Sequence, residues 1–144
     1  MINWFEQIYG GKNVIYKKKY QKAYEVSKNH SLIEGAEFAE AEWMSGWIAL
    51  SFLNDPNTAL KHFITFYENV GYPISLARGA YWTGITYEKL GKKKMSENFF
   101  KEGSKYLTTY YGQLCYKKIN PTGEFQLNDQ SKYSMNYEKE FNNN

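Results

Sequence analysis

The chain has 144 residues, 42% of them hydrophobic and 23% charged, with a formal net charge of +3. That is the composition of a globular domain, long enough to bury roughly two-thirds of the surface its unfolded form exposes. No stretch approaches the ~20 apolar residues of a membrane span, and one cysteine, Cys115, allows no disulfide within the chain.

Aromatic residues make up 19% of the chain, with 14 Tyr, 9 Phe and 4 Trp, which points to wide packing surfaces with polar tips. The basic runs Lys17–Lys19 and Lys92–Lys94 are short and separate. Tracking a phosphate backbone needs a continuous basic stripe, so they read as solvated turns and no nucleic-acid partner is expected. The first residues, Met1 to Glu6, lack a basic segment followed by a long apolar run, so no export signal is expected in this chain.

In chain order, Val14, Ile15, Tyr20, Ala23, Tyr24 and Val26 recur at helical spacing and predict a helix over 13–28. A turn at Asn29–Ser31 follows, and then a helix over 34–53 that carries Phe38, Ala41, Ala49 and Phe52. Trp43 and Trp47, four apart on its face, are expected to pack in the core. Asn54-Asp55-Pro56 reads as a cap followed by proline at the first helical position, opening a helix over 56–70 that Gly71 would end in a left-handed conformation. A helix over 74–90 ends at Gly91, Lys92–Lys94 form a turn, and a helix over 95–106 follows. Thr108 or Thr109 caps a last helix that runs to Ile119. Beyond Pro121 no periodicity persists, and 121–144 reads as a disordered tail after a helical domain over 1–120.

A shift of 37 positions aligns Ala49 with Thr86, Leu53 with Leu90, Asn54 with Gly91, Ala59 with Ser96 and Phe63 with Phe100. The segment from Ala80 to Gly91, followed by Ser96, Phe99, Phe100 and Gly103, resembles a tetratricopeptide-type repeat. The expected fold is therefore all-α, with antiparallel helix pairs stacked as an α-solenoid.

Chemistry is sparse. His30 and His62 are far apart in sequence, and neither stands at metal-ligand spacing to Cys115, so no metal or cofactor is expected. Gly10-Gly11-Lys12 lacks the remaining positions of a phosphate-binding loop. Glu34, Glu37, Glu40 and Glu42 crowd the start of one helix, where acids favour the helix dipole, and they read as that rather than as a catalytic pair. Trp82, like Trp43 and Trp47, reads as core.

Several ordered strings resemble soluble lytic murein transglycosylases: Glu40 to Leu50 (EAEWMSGWIAL), Phe52 to Pro56 (FLNDP), Ala59 to Phe63 (ALKHF), Pro73 to Trp82 (PISLARGAYW) and Thr108 to Leu114 (TTYYGQL). The resemblance spans about 20–119 and concerns the superhelical scaffold of that family. It implies a periplasmic role in cleavage of peptidoglycan glycan strands and in cell-wall turnover. The family's catalytic Glu-Ser pair and its following Gly-Leu-Met-Gln string are both absent from these 144 residues. The chain is accordingly expected to be non-catalytic, a scaffold fragment or one half of a split enzyme whose catalytic domain is encoded separately. An independent tetratricopeptide-like protein-interaction module is the alternative. Candidate glycan or partner contacts are Tyr81, Tyr110, Tyr111 and Gln113.

Overall fold

A computed structural model describes residues 19–123, which form six helices. They are α1 (Tyr20–Lys28), α2 (Gly35–Ser51), α3 (Pro56–Glu68), α4 (Pro73–Lys89), α5 (Lys93–Ser104) and α6 (Tyr110–Ile119). Among the described residues there is no strand, and the fold is all-α as the periodicity predicts. No helix there is long and apolar enough to cross a membrane. The expected helical residues 13–18, and the expected tail beyond Gly123, lie outside the described residues.

The helix starts follow from local chemistry. Asp55 caps α3, its Oδ1 accepting the Thr58 N–H at 3.1 Å and its Oδ2 the Thr58 hydroxyl at 2.6 Å, with Pro56 directly after it. Thr109 caps α6 by accepting the Gly112 N–H at 3.0 Å. Pro73 opens α4 rather than preceding it. Two expectations are corrected. Lys93 and Lys94 belong to the first turn of α5, not to a turn before it, because lysine is a good helix former. Gly71 does not take the left-handed conformation; the left-handed glycines among the described residues are Gly35 (φ 92°) and Gly91 (φ 72°).

Each helix packs on its neighbours in sequence, and α4 also packs on α6; short connections fold every helix back on the one before. The pairs α2–α3 and α4–α5 share several local features. Asn54 (φ 49°) and Gly91, 37 positions apart, both bend left-handed at the turn within a pair. Ala59 and Ser96 are buried at the same place in α3 and α5, and so are Phe63 and Phe100. Each of these two rings fills the space over a glycine of the partner helix, Gly46 under Phe63 and Gly84 under Phe100. The glycines stand 38 apart, not 37. The extra residue sits in the first turn, where the Asp55 N–H reaches back six residues to the Ala49 carbonyl; the Lys92 N–H reaches back five, to Tyr87.

The core is built on this arrangement. Ala23 and Tyr24 from α1, Met44, Ile48, Ala49 and Leu50 from α2, and Ala59 and Phe63 from α3 form one buried cluster, with Trp43, Trp47 and Trp82 packed against it. Burying a Phe or Ile side chain of this kind contributes about 1.5–3 kcal/mol.

Candidate functional site

Large rings meet along the even-numbered helices α2, α4 and α6. Trp47 stacks on Trp43 within α2, with ring centroids 5.9 Å apart and planes 11° apart. Trp43 meets Trp82 of α4 edge-on at 6.0 Å, Trp82 meets Tyr81 at 5.5 Å, Tyr81 meets Tyr111 of α6 at 5.4 Å, and Tyr111 meets Tyr110 at 5.2 Å. The result is an unbroken series of six rings crossing α2, α4 and α6. Offset and edge contacts at these separations are favourable beyond simple burial.

The series changes character along its length. Trp43, Trp47 and Trp82 are half-buried and lean on the core, as expected, and the indole N–H groups of Trp43 and Trp82 are enclosed without a hydrogen-bond partner. Tyr110, at the far end, is 69% exposed. Burial, followed by the neighbouring Cys115, Tyr110 and Tyr111, raises the Tyr81 phenol above its ordinary value. Of the candidate contacts, Tyr81, Tyr110 and Tyr111 therefore come together. Gln113 does something else: its Nε2 donates to the Leu107 carbonyl at 3.1 Å and ties α6 to the connection before it.

The four glutamates separate. Glu37 lies in the first turn of α2, where the dipole argument places it. Glu40 instead receives both Arg78 nitrogens, Nη1 at 2.8 Å and Nη2 at 2.9 Å, while the guanidinium lies 3.7 Å from the centroid of the Trp43 ring. This joins α2 to α4 by a forked ion pair and a cation–π contact together.

Glu42 is the centre of a polar network that spacing in the sequence conceals. His62 Nδ1 lies 2.7 Å from Glu42 Oε2, and His30 Nε2 lies 3.0 Å from Oε1. The Tyr24 hydroxyl lies 2.8 Å from His62 Nε2, and the Leu32 N–H donates to His30 Nδ1 at 3.0 Å. Burial alone would raise the Glu42 carboxyl, but the hydrogen bonds from His62 and His30 outweigh it and hold the group below the ordinary glutamate value. Glu42 is therefore an anion shared by two imidazoles.

Order Tyr24, His62, Glu42 has the connectivity of a nucleophile, base and orienting acid. The group in the nucleophile's place is a buried phenol. Tyr24 is 8% exposed, and burial, with help from Asp55 and Glu42, raises its phenol and keeps the proton on. Nor do the donors suit a metal. The Leu32 amide requires a bare Nδ1 on His30, which puts that ring's proton on the Nε2 facing Glu42. Among the described residues no group of three or more His, Cys, Asp or Glu side chains is arranged to hold an ion. Cys115 is enclosed, and burial pushes its thiol up to about 12, far from a reactive thiolate.

No protein-family model, curated protein or solved structure matches this chain.

Proposed function

We propose that the chain is a non-catalytic helical scaffold of the kind found in soluble lytic murein transglycosylases, its helix pairs stacking as a solenoid that holds a peptidoglycan glycan strand. The observation that carries this reading is the six-ring aromatic series from Trp47 to Tyr110 across α2, α4 and α6. Its exposed end offers ring faces to the C–H faces of sugar rings, and its buried end anchors them to the core. The resemblance of the ordered strings between 40 and 114 to that family supports the reading. On this reading the glycan is cleaved by a catalytic domain outside these 144 residues, and the working compartment is the periplasm.

Sedimentation with insoluble peptidoglycan tests the proposal, with the supernatant analysed for anhydromuropeptides. Retention in the pellet without released product supports a scaffold. Release above a buffer control contradicts the non-catalytic part, and failure to pellet contradicts the glycan part.

A second reading, a tetratricopeptide-like module that holds a protein segment, draws on a different observation. The glycine-under-phenylalanine contact repeats in the two helix pairs, at the positions where the sequence resembles such a repeat. Retention of a protein partner by the purified chain, with no affinity for peptidoglycan, would favour it.

A further inference from the structure

One side chain, His30, ties the connection between α1 and α2, residues 29–34, to α2. His30 Nδ1 accepts the Leu32 N–H at 3.0 Å, and His30 Nε2 faces Glu42 Oε1 at 3.0 Å. A backbone N–H can only donate, so Nδ1 carries no proton and Nε2 donates to the carboxylate. His62 sits on the other oxygen of Glu42 through Nδ1, and its Nε2 meets the Tyr24 hydroxyl. A hydroxyl rotates and can donate or accept.

The two imidazoles consequently respond differently to acid. A proton added to His62 at Nε2 costs no contact, because the Tyr24 hydroxyl turns to accept it and the cation lies against Glu42. A proton added to His30 at Nδ1 opposes the Leu32 N–H directly, and that hydrogen bond must break.

We propose that His30 is a proton-operated latch: neutral, it pins the α1–α2 connection to Glu42 of α2, and protonated at Nδ1 it lets the connection go. The groups around it are few. Glu42 and Phe38 face it from α2, and the Leu32 amide faces it from the connection itself. His62 stands across Glu42 from α3, with Asp55 at the start of that helix acting on Tyr24. Tyr24 comes from α1, with the Lys28 ammonium 5.7 Å from the centroid of its ring. Among the described residues Glu42 is the one anion bonded to either imidazole, so it balances the first proton and not the second.

Among the described residues, little else holds the connection beyond the Asn29 N–H, which donates to the Glu25 carbonyl of α1 at 3.1 Å. Ile33 is 87% exposed, and Ser31 is left-handed at φ 56°, a conformation uncommon for residues other than glycine. The opening stays local, because α1 keeps its own tie to α2: the Ser27 hydroxyl meets Ser45 Oγ at 2.8 Å and the Ala41 carbonyl at 3.3 Å.

Amide hydrogen exchange of the whole chain between pH 7.5 and 5, corrected for intrinsic rates, reads the latch at Leu32. The opening constant at Leu32 is expected to rise as the pH falls, approaching about tenfold per pH unit where one proton drives the opening, with the interior of α2 unchanged. His30→Asn supplies a carbonyl oxygen to the same N–H two residues on, as an Asx turn does, and does not titrate; it should keep Leu32 protected with no such slope. Nitrogen shifts of His30 give an independent readout that needs no variant: a neutral ring with its proton on Nε2 is expected at pH 7.5. A flat profile in the natural chain, the same slope in H30N, or a proton on Nδ1 at pH 7.5 would each overturn the proposal.

Discussion

The ring of Phe100 occupies the space that a side chain on Gly84 would need: a Cβ added there would stand 2.6 Å from a ring carbon. Phe100 is 3% exposed, so the ring cannot swing into solvent to make room. Gly84→Ala is expected to destabilise the chain by about 1–3 kcal/mol, the usual cost of overpacking, measured by urea unfolding. Gly46→Ala should do the same through Phe63, whereas Gly71→Ala, with open space around the position, should not.

Truncating the rings tests the same contact from its other side. Phe63 is fully buried, and Phe63→Ala should cost about 3–5 kcal/mol through lost transfer energy and the cavity left behind. A cost under 1 kcal/mol would mean that the α2–α3 pair is not closed by this residue.

Glu42→Gln replaces an acceptor of two imidazole protons with a group that accepts at one atom and donates at the other. The loss at pH 7 should be about 1–3 kcal/mol, the cost of leaving a buried donor unmet. Because the folded state lowers the Glu42 pKa, its contribution is present above the ordinary glutamate value of about 4.3 and is lost as pH falls below it toward the folded value. Urea unfolding of both proteins at pH 7 and pH 3.5 should show the difference shrinking in acid.

Arg78→Lys keeps the charge but gives up the fork to Glu40 and the flat contact with Trp43. A loss of about 1 kcal/mol is expected, together with a change in tryptophan fluorescence, since a lysine ammonium cannot reproduce either geometry. An unchanged spectrum would show that the guanidinium does not lie on the indole in solution.

The helices were legible because their apolar residues keep a helical spacing, and the caps at Asp55 and Thr109 because side-chain oxygens before a helix have a local signature. The 37-residue shift matched Asn54 to Gly91 and Phe63 to Phe100 correctly but misaligned the first helices of the pairs, pairing Ala49 with Thr86. The extra residue in the turn before Asp55 leaves no mark in composition. Tyr81 and Tyr111 were legible only as candidate contacts; that their rings touch follows from the packing of α6 on α4. The shared Glu42 was missed: its histidines lie 12 and 20 residues away, and only the packing of α1 and α3 on either side of α2 brings them together. The available signal was an acid between Ala41 and Met44, two residues that turn out to be buried.

Tyr110 offers the most direct test of the scaffold reading, because it ends the aromatic series at 69% exposure and can be removed without opening the core. Co-sedimentation with purified peptidoglycan should show the natural chain retained without release of anhydromuropeptides, and Tyr110→Ala retained more weakly by about 1 kcal/mol, a factor of about five. Equal retention of the two proteins, or no retention of either, would contradict a glycan-holding role for this face.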